Sequence, residues 1–66
     1  MKNTIKVRRA IKDVTQAQLA DIIGVSRQTI SAIEKNKYVP STVLALKLAR
    51  YFEVAIEEFF ELTQED

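Results

Sequence analysis

Apolar residues recur along this 66-residue chain mostly at spacings of three and four, the pattern of helices that each bury one face. The spacing predicts five helices, over about 3–12, 16–23, 27–35, 42–52 and 56–62. In the first, Ile5, Val7 and Ile11 are the candidates for the buried side. Thr15 opens the second, because Thr15 with Gln18 three residues on matches a capping box that satisfies amide groups at a helix start. Gly24 then supplies the positive φ of a sharp exit. Ser26 is a good N-cap for the third helix and Asn36 a tolerable left-handed terminator. Pro40 fixes the loop that follows, and Ser41 caps the fourth helix, whose Val43, Leu44, Leu46, Leu48, Ala49 and Phe52 are expected to form one buried stripe. The fifth carries Ile56, Phe59, Phe60 and Leu62. With one Gly and one Pro in the whole chain, β turns have little room. The expected architecture is all-α, in one domain covering residues 1–66.

Residues 16–35 carry a more specific pattern. Leu19, Ala20, Ile23, Val25, Ile30 and Ile33 are small or apolar, with Gly24 at the turn between two predicted helices. Two helices crossing through a turn of a few residues need this arrangement. Ala20 permits close approach, and Val25, Ile30 and Ile33 anchor the third helix to the core. Stepping about 100° per residue from Arg27 puts Ile30 and Ile33 near 300° and 240°. The opposite side, from about 0° to 140°, holds Arg27, Gln28, Ser31, Ala32 and Lys35. Each polar member there can donate a hydrogen bond, and none is acidic. A helix fits the major groove of B-form DNA, where Arg pairs with guanine, Gln with adenine, and a small Ala leaves room for a thymine methyl. Residues early in such a helix reach the bases. Arg27 and Gln28 are therefore the first candidates for base readout, with Ser31 and Ala32 behind them.

Charge sharpens the picture. The net value is only +1, but residues 1–50 hold all ten basic groups against three acids, a net of +7. From Glu53 onward there are six acids and no base, a net of −6. An asymmetry this complete suggests one end that faces an anion and one that avoids it. A chain this short buries only about 60% of the surface its unfolded form exposes, and it has neither Cys nor His to supply disulfides or a zinc site. Their absence also removes the usual nucleophile and the usual near-neutral acid or base, so catalysis is not expected. No cofactor is implied. No apolar stretch approaches the roughly 20 residues that span a bilayer, and the amino end lacks the apolar segment of a signal peptide. The expected location is the cytoplasm, with no membrane partner and, lacking a second domain, no small-molecule effector.

The string TQAQLADIIGVSRQTISAIEKNKYVPS resembles the Cro/repressor-type helix-turn-helix regulators, the XRE class, in their short single-domain form. The likeness runs from Asn3 to about Leu62. It is most specific at Thr15-Gln16, Leu19-Ala20, Gly24-Val25-Ser26, Ile33-Glu34 and Pro40-Ser41. This resemblance implies a five-helix lambda-repressor-like fold, and a homodimer on a near-palindromic operator read in double-stranded DNA by the third helix. It also implies that Gln16 touches phosphate and buttresses the reading helix. Ser26, Thr29, Lys35, Asn36, Lys37 and Tyr38 match phosphate-facing positions, and Arg9 with Glu34 matches an ion pair tying the first helix to the third. Three positions depart from the family pattern: Arg8 stands where an apolar residue is usual, Asn36 where Gly is common, and Ala55 where Ser or Thr caps the last helix.

Phe59, Phe60 and Leu62 cannot all face inward from one short helix, since neighbours diverge by about 100°. One aromatic is expected to project, and Phe52, Ile56, Phe59, Phe60 and Leu62 are the candidates for a twofold interface. An alternative keeps the same fold but makes the acidic, aromatic end a docking site for a protein partner, as in an antitoxin that also represses its own operon.

Overall fold

The computed structural model describes residues 1–66, and the five expected helices are all present. They are α1 (Ile5–Lys12), α2 (Gln16–Ile23), α3 (Arg27–Glu34), α4 (Thr42–Phe52) and α5 (Ile56–Phe59). Two elements were not anticipated: β1 (Lys2–Asn3) and β2 (Phe60–Glu61) pair antiparallel, Lys2 opposite Glu61 and Asn3 opposite Phe60. Four residues of sheet leave the architecture helical, but they close the chain by joining its two ends.

Local chemistry explains most boundaries. Thr15 Oγ1 accepts from the Gln18 N–H (3.0 Å) while Gln18 Oε1 accepts from the Thr15 N–H (2.9 Å), a complete capping box. Ser26 and Ser41 cap α3 and α4 by accepting from the N–H of Thr29 and Leu44. Left-handed residues follow the first four helices: Asp13 (φ 57°), Gly24 (φ 89°), Asn36 (φ 60°) and Glu53 (φ 57°). Gly24 and Asn36 match the sequence expectation. Asp13 and Glu53 fill the same role without a recognisable sequence signal, each followed by a Val whose N–H bonds back into the helix, to Arg9 O and Ala49 O.

Thirteen apolar residues form one core, drawn from every helix and from β2. Ile5 is its only member from α1; Val7 and Ile11 (72% exposed) point to solvent, contrary to expectation. On α4 the buried stripe is Leu44, Ala45, Leu48, Ala49 and Phe52, while Val43 and Leu46 are exposed. The expected six-residue stripe was too wide, because Val43 and Leu46 lie about 140° and 160° around the helix from Leu48.

The expected start of the last helix is correct, at Ile56 after an Ala55 that makes no side-chain cap. Its expected end at residue 62 is not. The backbone turns extended at Phe60 (φ −119°, ψ 142°), so Phe59 leaves from a helix and Phe60 from a strand. That change of direction lets both rings enter the core, and the expected projecting aromatic is absent. Phe52, Phe59 and Phe60 stack in sequence with centroids 5.5 and 4.9 Å apart. Of the five residues assigned to a twofold interface, these three are thus interior, leaving the half-buried Ile56 and the exposed Leu62 (76%). Where the ends meet, the Asp66 carboxylate lies 3.0 Å from the Met1 amino group. Its pKa is held below the usual carboxylate range, first by the Thr63 backbone N–H that donates to it and then by that amino group.

Candidate nucleic-acid interface

The turn between α2 and α3 is short because Gly24 and Val25 both donate to Ala20 O (2.8 and 3.0 Å). Ala20, 3% exposed, has no side chain to hold the helices apart, and Ile30 and Ile33 seat α3 on Leu19 and the rest of the core. With one face pinned, the other is presented outward. Arg27, Gln28 and Lys35 are exposed, and Ser31 and Ala32 are half-exposed beside them. Gln16 of α2 joins Arg27, Gln28 and Ser31 around an open notch of about 200 Å³. A larger groove of about 590 Å³ adjoins it, bounded by the end of α1, the start of α2 and Arg27. The proposed base-reading residues therefore share one surface.

Glu34 is the only acid on α3, and it does not face that surface. Its carboxylate accepts from Arg9 Nε (2.6 Å) and a second Arg9 guanidinium nitrogen (3.1 Å), with the two side chains only 16% and 7% exposed. Such a paired fork is a directional, charge-assisted contact. Arg9 also donates to Val14 O (3.1 Å), so one guanidinium holds α1, the α1–α2 turn and α3 together. Gln16 Nε2 completes the group by donating to Glu34 Oε1 (3.1 Å). An amide nitrogen carries two donors, so the second N–H of Gln16 remains for an outside acceptor.

The residues matched to phosphate positions fall into two sets. Ser26 and Thr29 lie at the start of α3, their hydroxyls 2.9 Å apart and bonded to each other. Lys35, Asn36, Lys37 and Tyr38 lie beyond its end and are all exposed. The two sets bracket the reading face. Arg8, half-exposed on α1, belongs to neither.

Asn3 went unrecognised as part of this region, having been read as the first residue of a helix. It lies in β1, and its side chain donates to Ile33 O at the end of α3 (2.7 Å). The signal was available: Asn prefers caps and turns to helix interiors. No helix is long and apolar enough to cross a membrane.

Comparison with known proteins finds relatives along nearly the whole chain. The chain is 57% identical over 60 residues to an uncharacterized HTH-type transcriptional regulator of Methanocaldococcus jannaschii, covering 91% of each chain. It is 46% identical over 66 residues to YgzD of Bacillus subtilis, also an uncharacterized HTH-type transcriptional regulator, covering all of both. A third such regulator, from Archaeoglobus fulgidus, is 46% identical over 66 residues, all of this chain and 93% of that one. All three carry the name of HTH-type transcriptional regulators. A helix-turn-helix family profile matches residues 5–59, which takes in all five helices, and the chain belongs to that family.

Proposed function

We propose that this protein is a sequence-specific transcriptional regulator, acting as a repressor in the cytoplasm, that binds a near-palindromic operator as a homodimer with α3 in the major groove. One observation carries the reading: the exposed side of α3 presents Arg27 and Gln28 with no carboxylate beside them, because Glu34 is turned into its pair with Arg9. Arg27 and Gln28 read base edges, and Ser31 and Ala32 tune the same contacts. Gln16, Ser26, Thr29, Lys35, Asn36, Lys37 and Tyr38 engage the backbone.

Size supports the dimer. The longest dimension of the protomer is 31 Å, and half-sites one turn of DNA apart have centres about 34 Å apart, so one copy with one α3 cannot read both. An apolar groove of about 310 Å³ supplies a surface for self-association. It is lined by Val39, Pro40, Ile56 and Leu62 among others, and Val43 and Leu46 are exposed on the helix beside it. The interface proposed here thus keeps Ile56, Leu62 and the edge of Phe60 that lines the groove, and replaces Phe52 and Phe59 with residues of α4 and the loop before it. No observation favours the antitoxin alternative over this one: Phe52 and Phe59 are interior, and the groove that Phe60 lines is assigned to the second copy.

Selection of bound fragments from random DNA at two salt concentrations tests the reading. The expected product is an inverted repeat with half-site centres about 34 Å apart, bound less tightly at higher salt as counterions return to phosphate. Recovery of no preferred sequence overturns it, and a protomer mass at every concentration in sedimentation overturns the dimer.

A further inference from the structure

Asn3 bonds to more separate elements than its size suggests. Its backbone pairs with Phe60 in the β1–β2 ladder. Its Oδ1 accepts from the Ile5 N–H (3.1 Å), capping the first turn of α1. Its Nδ2 donates to Ile33 O (2.7 Å) and to Asn36 Oδ1 (3.2 Å). The orientation of the amide follows from chemistry, since a backbone N–H such as that of Ile5 can bond only to the oxygen.

At the receiving end, α3 closes with Asn36 N–H to Ile33 O (3.0 Å) and Lys37 N–H to Ala32 O (2.9 Å), around Asn36 in the left-handed region. A carbonyl has two lone pairs, and those of Ile33 are shared between the turn itself and Asn3. A non-glycine residue is disfavoured at such a φ. Here Asn36 carries an acceptor that Asn3 uses, which gives a reason for Asn at a position where the family resemblance led us to expect Gly. Among side-chain hydrogen bonds from elsewhere in the fold, that of Asn3 is the one that reaches residues 35–38. Lys35 and Lys37 flank the clamped residue, both exposed.

We propose that Asn3 is a positioning residue for DNA binding, holding the turn at Asn36 so that Lys35 and Lys37 stand ready at fixed distance from the end of α3. The inference rests on α3 being the reading helix. Fixing the turn in advance lowers the ordering cost when the lysines meet phosphate. It also makes the terminal strand pair part of the DNA-binding unit, although no residue of that pair need touch DNA.

Two uncharged variants test it. Asn3→Ser keeps a short acceptor for the Ile5 N–H but cannot reach Ile33, and Asn36→Gly keeps the left-handed turn but deletes the acceptor. In each, operator affinity is expected to fall about 3- to 10-fold while the melting profile is retained, with a shallower slope of log affinity against log salt. Base preference in the random-DNA selection should not change. The Lys37→Ala effect should be smaller in either variant than in the parent, and the Asn36 and Lys37 amides should exchange faster with solvent. Should Asn3→Ser prove unfolded, Asn36→Gly decides through its salt slope and its coupling to Lys37→Ala, because Asn36 is itself placed against phosphate and its affinity loss alone would not. If the parent selects a sequence and the variants bind it with parental affinity and slope, the positioning role is overturned while the DNA-binding reading stands. Lys37→Ala losses that add fully in every background overturn it equally. A parent that selects no sequence overturns both.

Discussion

The helix-turn-helix and the terminal closure meet at the end of α3 and are built in opposite ways. Contacts that shape α2 and α3 span a few residues: Thr15 with Gln18, Ala20 with Gly24, Ser26 with Thr29. Contacts that shape the ends join segments 30 or more residues apart, with Asn3 bonded to Ile33, Thr4 N–H donating to Phe59 O (3.1 Å), and Asn3 paired with Phe60. The first region presents polar donors outward, and the second turns aromatic rings inward. The difference teaches that the reading surface is locally encoded, whereas its attachment to the rest of the molecule depends on closing a long loop, which costs entropy until the core forms.

Four substitutions break or sharpen that contrast. The largest effect is expected for Phe59→Ala, at a fully buried ring that is no part of the outward face of α3. It should cost about 3–5 kcal/mol, a large share of the stability of so small a chain. Urea denaturation measures it, and a loss under ~1 kcal/mol would mean the terminal region is not part of the core. Glu34→Ala tests the link between the regions. It strands the Arg9 guanidinium among largely buried groups and should cost about 2–4 kcal/mol, read by the same titration and little changed by added salt. A strong salt dependence there would make the pair a surface contact.

Arg27→Ala belongs wholly to the reading surface. It should leave stability within ~0.5 kcal/mol yet cost about 1–3 kcal/mol of operator binding and relax choice at one base pair. Equal losses on every sequence would reassign Arg27 to phosphate. The smallest effect belongs to Thr4, whose buried hydroxyl has no hydrogen-bond partner. Thr4→Val keeps the shape, removes the unmet polar group, and should raise stability by about 1 kcal/mol, with binding unchanged. A destabilised Thr4→Val would show that the hydroxyl is satisfied in solution.

Much of this was legible beforehand, for reasons particular residues make plain. The capping box at Thr15, the exit at Gly24, the caps at Ser26 and Ser41 and the left-handed Asn36 act within a few residues of themselves, so composition and spacing report them directly. The outward face of α3 followed from helical periodicity once Ile30 and Ile33 were taken as buried. Asp13 and Glu53 as helix terminators were not legible, because neither residue type marks a positive φ as Gly does, and the bonds that hold each turn come from the backbone N–H of the next residue, which any residue but Pro carries.

By itself the sequence determined five helices, the turn between the second and third, and which residues of α3 face outward, since those are settled by bonds and periodicities no longer than one helix. Only the tertiary structure decided that Phe59 and Phe60 both point inward and that Asn3 caps two helices at once. Each of those outcomes depends on where a distant segment lies, and neither helical periodicity nor capping preference carries information across 30 or 60 residues of chain.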